Sequence, residues 1–197
     1  MTSVREITLT ERHSYSSPYI VWIMGPTSSG KTTIASHFVQ KQHDAGIPVV
    51  HLDGDVVRDS MGKIGFEQKD RLLVIRALIA FAKEELALGR NVVVSALTAH
   101  EDARKMIAEE FNDVLVVSVQ CSIDVCAQRD PKGLYRRAMA GEIDTLIGYN
   151  TPYPLPKNPA LVLDTESCSV SGAAMCLAEF LAGKGFESSG GMTGMAS

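Results

Sequence analysis

Cysteine is sparse in this chain and never paired in sequence. Cys121, Cys126, Cys168 and Cys176 form no C-x-x-C pair, and no histidine stands at zinc-finger spacing from them. That argues against a disulfide framework or a zinc module and for reduced, mostly buried thiols. No apolar run approaches the ~18 residues of a membrane helix. The N-terminus has no charged-then-apolar signal pattern, so the cytoplasm is the expected location. There is no large charge excess either. A formal net charge of -4 exerts no overall pull on nucleic acid or anionic lipid. The expected partners are therefore small molecules, with no nucleic acid and no membrane; a local basic cluster still allows an anionic ligand. Internal repeats are absent, and nothing marks a second domain.

What is present is an ordinary globular composition: 197 residues, 45% hydrophobic and 21% charged. A chain of this length forms one domain and removes roughly 70% of its unfolded surface. Residues 1–18 read as an N-terminal leader, 19–182 as the folded domain, and 183–197, rich in Gly, Ser and Met, as a flexible tail. Short apolar runs at 19–24, 47–52, 91–95, 114–119 and 160–163 suit strands buried on both faces. Helical spacing runs over 31–45, 56–66 in part, 68–88, 101–111, 123–129 and 170–182. This alternation predicts a three-layer α/β/α fold around a five-stranded parallel sheet. The stretch 130–159 differs. It holds five of the eight prolines, three glycines and the basic pair Arg136-Arg137. A segment so long and broken is usually functional.

The pattern G-x-x-x-x-G-K-[ST] occurs as Gly25, Gly30, Lys31 and Thr32, between a buried strand and an amphipathic helix. Its glycines let the backbone curl so that N–H groups converge on phosphate oxygens. The helix that follows turns its N-terminal dipole to the same anion. Lys31 places a positive charge on the β- and γ-phosphates, and the Thr32 hydroxyl supplies an oxygen to Mg2+. Ser28, Ser29 and Thr33 offer further contacts. A nucleoside triphosphate and Mg2+ are the ligands this loop predicts.

Asp53-Gly-Asp55 closes the second strand, on the sheet edge where ligands bind in open α/β folds. Taken alone it reads as a helix cap or turn. Beside the phosphate loop it reads as functional, with Asp55 as base or orienter of an attacking hydroxyl and Asp53 as metal-shell or structural partner. Arg58, Arg71 and Arg76 each suit an anionic substrate.

In the order of the chain, the loop at 25–32 is followed by His51-Leu-Asp-Gly-Asp-Val-Val-Arg58, Gly65-Phe66, Asp70-Arg71 and Ile75-Arg76. Then come Arg129-Asp-Pro-Lys-Gly-Leu-Tyr135, Ala140-Gly-Glu142 and Pro152-Tyr153. Over about residues 17 to 165 the chain resembles the adenylylsulfate kinases, P-loop enzymes that phosphorylate the 3′-hydroxyl of adenosine 5′-phosphosulfate with ATP. The resemblance implies that 130–159 is a mobile lid, with Arg129, Asp130 and Lys132 near the ATP. It implies that Phe66 stacks on the acceptor adenine, that Arg58 and Arg71 hold its anionic or sugar parts, and that Lys132 serves the transfer. It also carries the expectation of a homodimer.

The resemblance frays on the acceptor side. Val56 replaces an Asn, and Val74 replaces an Asn that contacts the acceptor. Leu97-Thr-Ala-His-Glu101 replaces Ile-Ser-Pro-Phe/Tyr-Arg, which puts Thr98 at an acceptor position. Leu146 stands where a stacking Phe is expected, and Asn150 where an Asp is. Losing a hydrogen-bond partner for a polar substrate costs specificity. Besides an adenylylsulfate kinase, the residues admit a kinase of another nucleotide or small-molecule hydroxyl in specialised biosynthesis. From another class they admit a non-catalytic nucleotide-binding regulatory protein, against which the presence of Lys31, Thr32, Asp55 and Lys132 counts.

Overall fold

The structure is a computed structural model that describes residues 17–186. Most of the leader and tail expected from the sequence lies outside the described residues. Five strands form one parallel sheet: β1 Ile20–Met24, β2 Val49–Asp53, β3 Asn91–Ala96, β4 Leu115–Gln120 and β5 Leu161–Asp164, in the order β2-β3-β1-β4-β5. The helices are α1 Lys31–Asp44, α2 Gly54–Ser60, α3 Gln68–Ala87, α4 Glu101–Glu110, α5 Ile123–Arg129, α6 Leu134–Met139 and α7 Val170–Gly183.

The central strands are mostly apolar because both faces are covered: every residue of β1 and β3 is buried, with Asn91 and Ser95 of β3 the buried polar exceptions. Successive side chains alternate between the two faces. Tyr19, Val21 and Ile23 pack with α1 and α7, through Ile34, Phe38, Ala173 and Leu177. Ile20, Trp22 and Met24 pack with α3 and α4, through Ile75, Leu78, Ala103 and Ile107. A buried aliphatic side chain stabilises by about 1.5–3 kcal/mol, so each layer is held chiefly by such pairs. α7 runs one residue past its predicted end, and Phe186 packs edge-on against Tyr19 with ring centroids 5.2 Å apart.

The chain leaves β1, passes to the far edge at β2, returns to β3, and crosses to β4 on the other side of β1. The direction of winding therefore reverses at β1. A crevice opens there at the carboxyl ends of the strands, and the loop after β1 lies in it. α6 is the element that the sequence patterns missed. It has six residues in a segment broken by Pro and Gly, too short for a period to emerge. Cys126, Tyr135, Ala138 and Leu146 form a third, small core beneath it. Among the described residues, no helix is long and apolar enough to cross a membrane.

Candidate active site

Gly25 opens the phosphate loop where nothing larger fits: a Cβ there would lie 2.5 Å from the Val119 carbonyl oxygen. Gly30 closes it with φ +94°, a left-handed conformation that glycine adopts without strain. Between them Ser28 is also left-handed, at φ 63°, which is strained for a residue with a Cβ and is commonest at functional sites. α1 starts directly on this loop with no side-chain cap and no acidic residue in its first turn. Its first N–H groups are thus left for an external acceptor, and its dipole favours an anion.

Lys31 donates from Nζ to the Pro26 carbonyl at 2.6 Å, so its ammonium is folded back over its own loop. Burial lowers its pKa to about 8, with the carboxylate of Asp55 pulling the other way. Thr32 donates its hydroxyl proton to Asp53 Oδ2 at 2.6 Å. Asp53 ends β2 and caps α2: its Oδ1 accepts from the N–H groups of Asp55 at 2.9 Å and Val56 at 3.3 Å. Its Oδ2 also accepts from Ser95 Oγ at 2.7 Å. Burial works against ionisation of Asp53, but these four donors outweigh it and hold the carboxyl below its ordinary value. The cap and functional readings of this turn therefore both hold geometrically: Asp53 is a helix cap that also grips the loop threonine.

Asp55 projects from the first turn of α2 and pairs with Lys132 Nζ at 2.6 Å, joining the strand-edge turn to the proline-rich segment. That segment is tied to the loop as well. Tyr135 is fully buried and donates its hydroxyl to the Thr27 carbonyl at 3.0 Å. Arg129 reaches the hydroxyl and carbonyl of Thr165, just beyond β5. Phe66 is half exposed beneath two guanidinium groups, with Arg58 at 4.8 Å and Arg71 at 5.8 Å from its ring centre. Arg71 also donates to the carbonyls of Phe66 and Thr145.

Lys31, Thr32, Asp53, Asp55, Phe66 and Lys132 all border one cavity of about 1130 Å3. Single small-molecule pockets run to about 1,000 Å3, so this one has room for two ligands side by side. Lys31, Arg58, Arg71, Arg129, Lys132 and Arg137 bring six cations to its walls, against the carboxylates of Asp53, Asp55 and Asp59. Such a balance suits polyanionic ligands. One end is the phosphate loop with Arg129 and Thr165. The other is lined by Phe66, Arg71, Val56, Val74, Thr98 and Leu146. Val74 and Leu146 are buried apolar side chains at this wall, while Val56 is 67% exposed. Thr98 is held in a left-handed turn, φ 44°, by bonds from Trp22 Nε1 to its hydroxyl and from Arg104 to its carbonyl.

Of the residues singled out from the sequence, Ser28, Gly30, Lys31, Thr32, Thr33, Asp53, Asp55, Arg58, Phe66, Arg71, Val74, Thr98, Arg129, Lys132 and Leu146 come together on this cavity. Four do not line it. Gly25 serves close packing under the loop. Ser29 is fully buried, its hydroxyl turned beneath Gly25 rather than toward the cavity. Asp130 turns away, accepting from the N–H groups of Tyr135 at 3.1 Å and Arg136 at 3.0 Å, and so shapes the start of α6. Arg76 is exposed on α3, outside the cavity. Sequence reasoning missed Ser95, Thr165 and Arg137. Ser95 and Thr165 sit at or just past the carboxyl ends of strands, the same signal that marked Asp53. Arg137 was visible only as half of a basic pair.

A family model described as adenylylsulphate kinase matches residues 17–164. The adenylyl-sulfate kinase of Bacillus velezensis is 36% identical over 168 residues, spanning 82% of this chain and 84% of that protein. The probable adenylyl-sulfate kinase of Archaeoglobus fulgidus is 34% identical over 149 residues, spanning 75% of this chain and 96% of that protein. Among solved structures, the Mycobacterium tuberculosis APS kinase CysC in complex with AMPPNP and APS superposes with a TM-score of 0.78. It is 33% identical, and the match covers 84% of this chain and 98% of that one.

Proposed function

The chain belongs to the adenylylsulfate kinase family, and on that premise we propose that it transfers the γ-phosphoryl group of ATP to the 3′-hydroxyl of adenosine 5′-phosphosulfate. The observation that carries this reading is the meeting of Lys31, Asp55 and Lys132 in the middle of a cavity with a phosphate loop at one end and Phe66 under Arg58 and Arg71 at the other.

ATP lies at the loop end. The free N–H groups of α1 and the Lys31 ammonium meet its phosphates, and Arg129 and Thr165 border its far side. The acceptor lies at the Phe66 end, its base on the ring and its anionic groups toward Arg58 and Arg71. The acceptor hydroxyl oxygen bonds to the γ-phosphorus as the bond to the bridging oxygen of ADP breaks. Asp55 orients that hydroxyl and takes its proton. Lys132, held beside Asp55, neutralises charge on the group in flight. Closure of 130–159 as a lid would exclude the water that competes with the acceptor.

The residues fit a magnesium ion. Thr32 gives its proton to Asp53, so its lone pairs are free for a cation, and the four acceptor sites of Asp53 are already engaged. Among the described residues, no three His, Cys, Asp or Glu side chains gather as a metal cage. That suits an ion that keeps its waters and binds phosphate oxygens. Thr32 would hold it directly and Asp53 through Thr32; bound there, it would supply charge neutralisation at the β- and γ-phosphates. The cytoplasm and a homodimer complete this reading.

The test is ADP release from purified protein with Mg2+ and ATP, with adenylylsulfate added or withheld, and the product identified by mass. A product heavier by one phosphoryl group is the expected outcome, and Lys31→Ala abolishes it in a folded protein. A second reading is favoured by one observation: Val56, Val74 and Leu146 place apolar side chains on the acceptor wall. On that reading the acceptor is a different nucleotide or hydroxyl compound. ADP release stimulated by such a compound, and not by adenylylsulfate, would establish it.

A further inference from the structure

His51 takes no part in the transfer described above, yet a chain of hydrogen bonds ties it to the loop threonine. Side chains two apart on a strand share a face, so His51 and Asp53 of β2 point the same way. The register sets Asp53 beside Ser95 of β3 and His51 beside Val93. Ser95 Oγ therefore lies between the two: 2.7 Å from Asp53 Oδ2 and 2.8 Å from His51 Nε2. On its other side, His51 Nδ1 lies 3.4 Å from the hydroxyl of Ser36 on α1.

The proton count in this chain allows one arrangement. A serine hydroxyl has one proton. Asp53 is an ionised carboxylate held below its ordinary pKa and can only accept, so the Ser95 proton goes to it. The contact at 2.8 Å then needs its proton from His51, which makes Nε2 the protonated nitrogen and leaves Nδ1 to accept from Ser36. Ser95 is 2% exposed, so water has little access to take the place of His51 as its donor. Without that donor the hydroxyl is held from the Asp53 side alone, which loosens one of the two side-chain donors that orient Asp53 Oδ2. The other is Thr32, the residue whose lone pairs are offered to the cation.

We propose that His51 is a positioning residue for magnesium–nucleotide binding, acting through Ser95 on the Asp53–Thr32 pair. The inference rests on the reading of this site as one for ATP with Mg2+. It does not depend on any change in the charge of His51. Outer partners of metal sites have effects of roughly 10–100-fold on metal affinity, and His51, three hydrogen bonds from the Thr32 hydroxyl, belongs at the lower end.

The experiment is a double-mutant cycle read by calorimetry as ADP binding at rising Mg2+ concentration, on the intact protein. His51→Leu and Ser95→Ala should each raise the Mg2+ concentration for half-maximal binding by roughly tenfold, with ADP binding in chelator unchanged. Joined, the two should do no more than Ser95→Ala alone, because both cut one path. His51→Gln, whose amide reaches Ser95, should retain the wild-type value. His51→Asn, whose amide stops one bond short, should behave like His51→Leu and serves if the leucine variant does not fold. An unchanged magnesium dependence in His51→Leu and His51→Asn overturns the proposal. So does an effect of His51→Leu that persists in full when Ser95 is already Ala, since His51 would then act by packing. Wild-type protein that binds ADP with no help from Mg2+ would instead sink the nucleotide–metal reading itself.

Discussion

Burial of the loop lysine predicts nucleotide binding that is sensitive to pH in a range where few side chains titrate. Burial lowers the Lys31 pKa to about 8, against an ordinary value of 10.5. Only the charged form attracts phosphate, and bound phosphate in turn favours the charged form. With a pKa of about 8, roughly nine-tenths of the lysine is charged at pH 7 and roughly one-tenth at pH 9. Affinity for MgATP should thus fall by up to about tenfold between those values, or about 1.4 kcal/mol. Lys31 retains partial solvent contact, so tenfold is an upper limit. The direction is set by the sign of the shift: a depressed lysine loses its charge, and its ligand, as pH rises through about 8. Calorimetry at several pH values measures the constant. Repeating the pH 8 titration in buffers of different ionisation enthalpy measures proton uptake, expected at about half a proton per nucleotide bound. Lys31→Met should bind more weakly and lose the dependence between pH 7 and 9. A wild-type affinity that is flat from pH 7 to 9, with no proton uptake, would refute the assignment of a desolvated Lys31 to the phosphates.

Asp55→Asn should lower kcat by about 10²-fold or more while the ATP dissociation constant moves far less, because the side chain's hydrogen bond runs to Lys132 and its effect on the loop is through its charge on Lys31 alone; single-turnover kinetics with separate binding titrations distinguish the two. Gly25→Ala should destabilise the fold by about 1–3 kcal/mol in thermal unfolding, since its methyl group would meet the Val119 carbonyl oxygen at 2.5 Å. Val74→Asn with Leu146→Phe should lower the KM for adenylylsulfate by restoring a hydrogen bond and a stacking ring at two cavity-lining positions. No change in KM would show that neither position governs the acceptor.

Much of this architecture was legible in the chain because it is local or periodic. The apolar run at β1, the G-x-x-x-x-G-K-T loop and the amphipathic helix behind it are contiguous, so their meaning survives without coordinates. The strand–helix alternation is likewise a pattern along the chain, and observed boundaries differ from predicted ones by one or two residues where helix and strand ends fray. α6 escaped notice because six residues among glycines and prolines carry too little periodicity. Asp130 was misplaced for a different reason. The family resemblance set it near the ATP, yet backbone N–H groups at the start of α6 engage its carboxylate.

By itself, the order of residues set a phosphate-loop pattern after the first strand and an acidic turn with Asp55 after the second. These follow from chemistry carried by adjacent residues. It also showed that the acceptor side departs from its family at Val56, Val74 and Leu146. Tertiary structure alone decided that those three positions share a wall and that Lys132 reaches across 77 residues to Asp55. It decided, too, that Ser95 slots between His51 and Asp53. The reason is strand order. β3 inserts between β1 and β2, and that insertion puts Ser95 beside Asp53, a neighbour relation that no spacing along the chain encodes.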